Sequence, residues 1–508
     1  MEFAGVAAAN DDREAVIATI RLLTPQGRLR RWHKALADRL AAEGHRVVGE
    51  PRAIAETRPS ALALLETLEG LLYGRGRPSS DDLLADGDGP ANGTEAADLI
   101  FDLTGACQPQ IGAIVPLYDG VAGEAARDAI LLDERAPELE LAIIEADAPR
   151  VLARGLPAIE RPSVLRFGRD AVTSRIVTLA AGVARTPLPD ARSGLAASRP
   201  PRRAPLPFFA AGLAGVARRK LRKLVAHEGH WRIGLRPLSP NDDVQAALDW
   251  RRDPLWRWIP DDRRRYFADP FLFEDGGVSY VFCEEFPYAT QKGIISVFAL
   301  DPAGAPGPAR VALERPYHLS YPVVFRRDGQ IFMMPESSAN RTLEIYRADP
   351  FPYRWTLDRV ALQDIEISDA TAFEMAGAWW LTGATNEPGT SMRDCLSLFS
   401  GPGPLGPWTL SGGGPVLIDA SAARPAGHIF RHGYEVWRPA QDCTQGYGSG
   451  LALCRIDDIG PGTLRQTVMR RWKPPGGMHT FNASERLAAI DTVGDRGRAA
   501  WADGLLTS

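Results

Sequence analysis

The second half of the chain repeats one structural unit five times. The copies share short strands around a glycine-containing turn, are spaced about fifty residues apart, and begin near Asp269, Tyr321, Asp369, Ala426 and His479. A period of this length, with such strands, is typical of a β-propeller that has one four-stranded sheet per blade. We therefore predict an all-β five-bladed propeller over residues 234–508. Asp269, Tyr321 and Asp369 are expected on the innermost strands, facing one axial pocket.

The first 190 residues follow a different pattern, in which apolar runs of strand length alternate with helical segments. Residues 18–23, 98–103 and 139–144 suit buried strands, and residues 28–43 carry apolar side chains at helical spacing. This alternation predicts an α/β domain with an open parallel sheet over residues 1–190. Residues 191–233 are then a Pro-rich linker and a connecting helix.

The connecting helix, predicted over residues 208–225, is apolar at its start and basic at its end. Its basic side chains are Arg218, Arg219, Lys220, Arg222 and Lys223. Such a helix suits either contact with an anionic lipid surface or a connector that packs its apolar side on a neighbour. Because basic clusters on helices are common, the connector is favoured over membrane contact.

The composition of the chain argues against several classes of function. The net charge of −4 over 508 residues offers no electrostatic attraction for a nucleic acid. Five scattered cysteines without a CxxC pair favour reduced thiols over disulfides or a zinc site. The first residues lack a secretory signal and no apolar run reaches the length of a bilayer span. We expect a soluble, cytoplasmic protein, and the absence of GxGxxG, P-loop and HExxH motifs predicts no cofactor and no metal.

Three carboxylates at the predicted axis are the candidate catalytic residues: Asp269, Glu336 and Asp369. Cleavage of a glycosidic bond needs one carboxylic acid to protonate the leaving oxygen and one carboxylate to activate water or attack the sugar. Carboxylates crowded around one axis push their pKa values apart, so that one of them can stay protonated near neutral pH. The set therefore predicts a glycosidase-like site.

Further polar side chains near the blade entries are candidates for binding a sugar. They are Glu285, His318, Tyr321, Arg438, Gln441, Asp442, His479 and Asn482. Each also has a structural explanation, since an aspartate at a blade entry can cap a turn, and Arg438 with Asp442 could form an ion pair between blades. These alternatives remain open at this stage.

Several short motifs resemble one family. They are Phe267-Ala268-Asp269-Pro270, His318-Leu319-Ser320-Tyr321-Pro322, Met334-Pro335-Glu336-Ser337, Asp369-Ala370-Thr371-Ala372-Phe373, Arg438-Pro439-Ala440-Gln441-Asp442-Cys443 and His479-Thr480-Phe481-Asn482. Together they resemble the propeller domain at the N-terminus of plant glucosamine inositolphosphorylceramide transferases and of bacterial relatives, over roughly residues 231–495. In the plant proteins the transferase chemistry belongs to a separate domain that this chain lacks, so the resemblance implies the fold without a reaction.

That propeller domain is in turn similar to the five-bladed propellers of arabinanase- and xylosidase-type glycoside hydrolases. In those enzymes a blade-one aspartate is the general base, a second aspartate tunes pKa values and a glutamate is the general acid. The resemblance implies that Asp269 is the base, with Asp369 and Glu336 as counterparts of the other two.

The N-terminal half resembles the formyltransferase-like α/β domain, through residues 28–33 with their helix and residues 98–105. The Asn, His and Asp constellation of active formyltransferases is not evident here, so the resemblance implies a degenerate or repurposed module. His33 is then expected on the surface of its helix rather than as a base.

Three functions compete. The leading hypothesis is a carbohydrate-active enzyme that cleaves or transfers a glycosyl group in the funnel of the propeller. The second is a carbohydrate-binding or scaffolding propeller without catalysis, because a fold does not determine a function. The third is N-formyl or N-acyl transfer to a sugar by the N-terminal half, which would require a pocket in that half.

Overall fold

The computed structural model describes residues 17–54, 59–74, 78–85, 88–93, 95–146, 148–185, 191–192, 201–225, 229–238, 256–260, 262–387, 391–474 and 476–493. Residues 193–200 of the Pro-rich linker predicted after residue 190 lie outside these residues. Two compact units divide the chain, with boundaries at residues 133–137, 154–155, 171–172 and 203–204. No helix in the described ranges has both the length and the low charge that crossing a bilayer demands.

The N-terminal elements alternate between strands and helices. In chain order they are β1 (Thr19–Pro25), α1 (Arg31–Ala42), β2 (Arg46–Arg52), α2 (Ser60–Tyr73), β3 (Leu99–Asp102), β4 (Ile114–Tyr118), β5 (Val121–Ala122), α3 (Glu124–Leu132), β6 (Leu139–Ile143), β7 (Arg150–Gly155), α4 (Leu165–Arg185) and β8 (Ala191–Arg192).

These strands form one sheet in the order β2-β1-β3-β4-β6-β7-β8, with β5 paired to β4. Strand β1 is parallel to β2 and β3, but β6 is antiparallel to β4. The predicted α/β organisation is confirmed, and β2, β1, β3 and β4 are parallel as expected, but β6 makes the sheet mixed rather than wholly parallel. Asp119 and Glu138 exchange hydrogen bonds of 2.9 and 2.8 Å. The connection between β4 and β6 therefore starts and ends at the same edge of the sheet, so β6 runs antiparallel to β4.

A helix and twenty strands follow. They are α5 (Pro205–Val225), β9 (Trp231–Pro237), β10 (Arg257–Trp258), β11 (Arg265–Asp275), β12 (Val278–Pro287), β13 (Ile294–Ala299), β14 (Arg310–Leu313), β15 (Ser320–Arg327), β16 (Gln330–Ser337), β17 (Thr342–Ala348), β18 (Trp355–Gln363), β19 (Ile367–Met375), β20 (Ala378–Thr385), β21 (Cys395–Gly401), β22 (Thr409–Ile418), β23 (Phe430–His432), β24 (Glu435–Asp442), β25 (Gly450–Gly460), β26 (Thr463–Trp472), β27 (Phe481–Ala483) and β28 (Leu487–Val493).

The strands from β9 onward form five four-stranded sheets, which confirms the five-bladed propeller. Blades one to four are β11–β14, β15–β18, β19–β22 and β23–β26. The fifth has the order β10-β9-β28-β27, so it joins both ends of the propeller sequence. Strand β28 pairs antiparallel with β9 from Leu487↔Pro237 to Val493↔Trp231. This pairing joins both ends of the propeller sequence in one sheet and so closes the ring.

The first strands of blades one to three share a β-bulge at the axis. The register slips between Ala268 and Phe271 in β11, and at the corresponding places in β15 and β19. Asp269, Tyr321 and Asp369 lie in these bulges with φ values of 50°, 46° and 55°, in the left-handed region. Bulges of this kind bend a strand and redirect a side chain, and non-glycine residues adopt such φ values only where surrounding contacts hold them.

Hydrophobic side chains fill the spaces between neighbouring blades. Phe271 and Phe282 of blade one pack with Tyr321 and Trp355 of blade two in one fully or nearly fully buried cluster. A buried Phe contributes roughly 1.5–3 kcal/mol relative to an exposed one. The cores between blades therefore fix the positions of the inner strands and of the polar residues that these strands carry.

Candidate functional site

Five carboxylates and one histidine from four blades gather at the axis. They are Asp269, Glu284, Glu336, Asp369, His479 and Asp491, which we call the axial group. All but Glu336 are at most 5% exposed, and Glu336 is half-buried. Three of the predicted site residues, Asp269, Glu336 and Asp369, are thus brought together with His479.

The carboxylates of this group link successive blades. Three of the five accept a hydrogen bond from the backbone N–H of a bulge residue in the next blade. Asp491 accepts from Asp269 at 2.9 Å, Asp269 from Tyr321 at 3.2 Å, and Glu336 from Asp369 at 3.1 Å. These bonds stabilise the left-handed residues and give the carboxylates a structural role in addition to any chemical one.

His479 lies between two aspartates. Its Nδ1 is 2.6 Å from Asp491 Oδ2 and 3.7 Å from Asp269 Oδ1. Trp231 stacks on its ring with a centroid distance of 3.9 Å, and Tyr447 meets it edge-on at 5.3 Å. Burial by itself lowers the pKa of His479, but the two aspartates outweigh it and raise the pKa above its usual value. The two aspartates therefore favour the protonated, cationic form of the ring.

Two side chains from the blade-four part of the chain bind the Asp369 carboxylate. Its Oδ2 is 2.6 Å from Arg424 Nε and accepts a hydrogen bond of 3.1 Å from Gln441 Nε2. The Arg424 guanidinium also lies over the Tyr447 ring, 4.9 Å from its centroid. Gln441 therefore contacts the axial group, as its place in the blade-four motif predicted, and its amide nitrogen donates to Asp369.

Glu284, rather than Glu285, is the blade-one counterpart of Glu336. The register pairs Glu284 with Ala268 and Glu336 with Ser320, each directly before a bulge residue. Glu285 points to the other face of β12, where it contacts Arg265 at 2.6 Å and accepts a 2.6 Å hydrogen bond from Ser296. The structure therefore does not place Glu285 in the axial group, because adjacent strand residues face opposite sides.

His318 lies beside Glu284. Its Nδ1 accepts a 3.0 Å hydrogen bond from the Gly293 N–H, and its Nε2 is 3.3 Å from Glu284 Oε1. Burial lowers the pKa of His318. In the neutral ring the single proton is then on Nε2 and faces the carboxylate. His318 is thus placed to donate to Glu284 at the rim of the axial group.

Burial is the main electrostatic influence on the axial carboxylates. It raises the pKa of Asp269, and it raises the pKa values of Glu284 and Asp369 well above their usual range. Five carboxylates face only His479 and Arg424 as cationic partners in this part of the described structure. Complete ionisation would leave excess negative charge in a buried region, so the group favours retaining protons. A retained proton is what a general acid requires.

Tyr321 and Asn482 are also buried at the axis, but their polar atoms are bonded to other blades. The Tyr321 hydroxyl lies 3.0 Å from Thr371 Oγ1 and accepts a 2.6 Å hydrogen bond from the Gly427 N–H. Asn482 donates to the Pro270 carbonyl at 2.7 Å and accepts from the His428 N–H at 2.7 Å. These contacts join blades across the axis.

Two other predicted binding residues lie apart from the axial group. Arg438 donates to the Ala423 carbonyl and to Gln466 Oε1, both at 3.0 Å, and is fully buried. Asp442 lies 3.1 Å from Lys473 Nζ and 3.3 Å from Arg471 Nη1. The anticipated Arg438–Asp442 pair is therefore wrong, and both side chains serve blade four internally.

Sequence reasoning missed several members of this site. Glu284 was adjacent to a candidate and could have been found by aligning the strands around the bulges. Asp491 stands alone in the apolar run 487–493, which is a signal for a buried, partnered carboxylate. Arg424, Tyr447 and Trp231 come from outside the repeated motifs, and no pattern pointed to them.

One subset of the axial group has the composition of a metal site. Potential ligand atoms of Asp269, His479 and Asp491 all lie within 4.8 Å of one another. His479 Nδ1 and Asp491 Oδ2 are already 2.6 Å apart, so they interact directly with each other. The absence of a metal stays a prediction.

The N-terminal unit has a cavity of its own at the carboxyl ends of β1 and β3. It measures about 470 Å³, and its lining includes Arg52, Asp102, Thr104, Cys107 and Gln108. The carboxyl edge of parallel strands is the usual place for a ligand in open α/β sheets. The cavity meets the geometric requirement of the third hypothesis, while the formyltransferase resemblance itself stays a prediction.

His33 is not on the helix surface, contrary to expectation. It is 1% exposed, and its Nδ1 accepts a 3.1 Å hydrogen bond from the Arg30 N–H. Burial lowers the pKa of His33 to about 3. The ring is therefore neutral and caps the start of α1.

Comparison with known proteins agrees with the propeller motifs. Residues 262–470 match the family model described as "Glucosamine inositolphosphorylceramide transferase 1, N-terminal". The chain is 33% identical over 198 residues to glucosamine inositolphosphorylceramide transferase 1 of Oryza sativa subsp. japonica, and 31% identical over 205 residues to that of Arabidopsis thaliana. These alignments cover 38% and 40% of this chain, but only 26% and 27% of the relatives. The chain thus spans about a quarter of the length of the curated proteins it matches.

Solved structures give a weaker likeness. Zg3597, a family 117 glycoside hydrolase from Zobellia galactanivorans, is 13% identical with a TM-score of 0.35, over 53% of this chain and 92% of that one. The RS223 β-xylosidase is 12% identical with a TM-score of 0.32, over 39% and 73%. At these scores the likeness supports no conclusion, and the blade assignment depends on the strand pairing alone.

Proposed function

We propose that the propeller binds a carbohydrate or glycoconjugate over the axial group and cleaves or transfers a glycosyl group there. Asp269 acts as general base or nucleophile, Glu336 as general acid, and Asp369 tunes the pKa values and orients the sugar. The observation that carries this proposal is the excess of buried carboxylates over cations around one axis. Such a group can contain a protonated carboxylic acid next to an ionised carboxylate, and cleavage of a glycosidic bond requires both.

Glu336 suits the acid role because it is the most accessible carboxylate of the group. Its Oε1 accepts hydrogen bonds from Ser338 at 2.6 Å and from Ser368 at 3.1 Å, which fix the orientation of the carboxyl group. Asp269 lies deeper, where Thr480 Oγ1 donates to its Oδ1 at 2.7 Å. A sugar that contacts the accessible Glu336 would therefore have Asp269 beneath it.

The relatives favour the substrate class. They are named glucosamine inositolphosphorylceramide transferases, and we therefore propose a glycoconjugate as the substrate of the matching residues 262–470. Because the chain spans about a quarter of those proteins, the proposal covers this substrate class and not the activity of the whole relatives.

One observation favours the second candidate function, binding without catalysis. The hydrogen bonds from bulge N–H groups to Asp491, Asp269 and Glu336 already explain why carboxylates are buried at the axis. A propeller could keep them for assembly alone and use its rim to bind a glycan.

Turnover and binding of a glycan library by the wild type and two variants separate these functions. Asp269→Asn and Glu336→Gln keep the shape of each side chain but remove its acid–base capacity. If the site is catalytic, each should lower the rate on the best substrate on the order of 10²-fold or more, with binding retained.

Asp442→Asn is the matched control, because Asp442 is equally buried but lies apart from the axial group. Equal turnover by the wild type and both axial variants would contradict the catalytic roles. Binding without turnover by every protein would favour the binding module.

A further inference from the structure

Helix α5 is a surface helix with an unusual exposed face. Phe208 is fully buried, and Gly212 lies so close to the Ser163 carbonyl that a Cβ there would be 2.6 Å from it. Residues 208 and 212 are one helical turn apart, so this side of the helix packs against the protein. The opposite side faces solvent.

The exposed side carries a line of apolar residues. Leu206, Leu213 and Leu221 are 46%, 41% and 67% exposed, and Ala210 and Ala217 are exposed between them. Their spacing of three or four residues places all five on one face of the helix. Single exposed leucines are ordinary, but a continuous line along about four turns indicates a surface that a lipid or another molecule covers.

Positive charge flanks this apolar line. Arg218 and Lys220 are exposed, and their positions in the helical repeat place them on either side of it. The sequence from residue 199 to residue 223 contains eight Lys and Arg residues and no Asp or Glu, in a chain whose net charge is −4. The local charge is thus opposite in sign to that of the whole protein.

We propose that α5 lies in the interface of an anionic lipid bilayer, with its apolar line below the headgroups and its basic residues among them. A helix with one apolar face and flanking Lys and Arg residues has the chemistry of an interfacial anchor. Basic residues near an anionic leaflet add attraction that salt screens. The charge favours an anionic lipid over a second copy of α5 packed face to face, because two basic faces repel each other.

Sedimentation of the full-length protein with phosphatidylcholine vesicles, with and without phosphatidylserine, tests this placement. Binding should require phosphatidylserine and weaken as salt is added. Arg218→Gln with Lys220→Gln should lower the affinity about 25-fold, from roughly fivefold for each basic residue. Leu206→Ser with Leu213→Ser should lower it on the order of tenfold or more.

Controls come from the propeller, away from α5. Leu357 is 49% exposed and Arg465 is a solvent-exposed cation, so Leu357→Ser and Arg465→Gln should leave vesicle binding unchanged. No binding to anionic vesicles at low salt would overturn the proposal. Binding that the α5 variants leave intact, or a dimer in solution that Leu213→Ser dissociates, would overturn it equally.

Discussion

Replacing Asp491 by Asn tests the electrostatics of the axial group. Asp491 Oδ2 contacts His479 Nδ1 at 2.6 Å and accepts the Asp269 N–H, while Oδ1 accepts the N–H groups of His479 and Thr480 at 3.1 and 2.9 Å. The variant keeps the shape but removes the negative charge. It also replaces one acceptor oxygen by a donor NH2 group, which accepts no hydrogen bond from the N–H groups on that side.

The expected penalty depends on pH. The pKa of His479 is raised in the folded protein, so its contribution to stability is complete below its unfolded pKa and is lost as pH rises through the folded value. While His479 is charged, the variant breaks a buried ion pair, which costs about 3–5 kcal/mol. Once His479 is neutral, the remaining cost is that of unsatisfied hydrogen bonds, about 1–3 kcal/mol.

Denaturant unfolding of wild type and variant at matched pH values, from about pH 6 to about pH 9, measures this difference across the ordinary titration range of histidine. The destabilisation should shrink as pH rises. Asp442→Asn is the control, since Asp442 pairs with Arg471 and Lys473, which stay charged over that range. A destabilisation by Asp491→Asn that is constant, or grows with pH, would refute a charged His479.

Four further substitutions test the geometry of the site in three experiments. Glu284→Gln should change glycan binding or turnover, whereas Glu285→Gln should leave both unchanged. Kinetics of the two variants on one substrate measure the difference, and equal effects would contradict the register assignment. Gly427→Ala should destabilise the protein by about 3 kcal/mol or more, because the new Cβ would lie 1.9 Å from the Phe481 carbonyl oxygen and φ is +139°. An unchanged thermal midpoint would contradict this prediction. Tyr321→Phe should cost about 1–3 kcal/mol by leaving the buried Gly427 N–H without its partner, with glycan turnover kept; loss of turnover at unchanged stability would instead give the hydroxyl a chemical role.

The repeat in the sequence was sufficient to predict the five blades and the inner positions of Asp269, Tyr321 and Asp369. A propeller repeats both its spacing and its backbone geometry, so one bulge motif recurs on the inner strands of blades one to three. The closing blade was only partly predictable, because β9 and β10 lie far from β27 and β28 in sequence. The mixed N-terminal sheet was missed because strand alternation does not show which edge a connection returns to.

The chemistry of the axial group was harder to predict than its location. Glu284 and Glu285 are adjacent and chemically alike, and only the register after the bulge decides which one faces the axis. Arg438 sits in a motif next to Gln441, yet its neighbours in space are backbone carbonyls of residues 422 and 423. Arg424 belongs to a connection without a counterpart in other blades, so its pairing with Asp369 needed coordinates.

A crystal structure of the Glu336→Gln variant with its best-binding glycan is the most direct test of the central claim. We expect a sugar ring over the axial group, in contact with the side chain of residue 336 and with Asp269. We also expect Asp369 and Arg424 to stay paired beside the ring. A glycan bound in the N-terminal cavity, or on a blade surface without contact to these carboxylates, would contradict it.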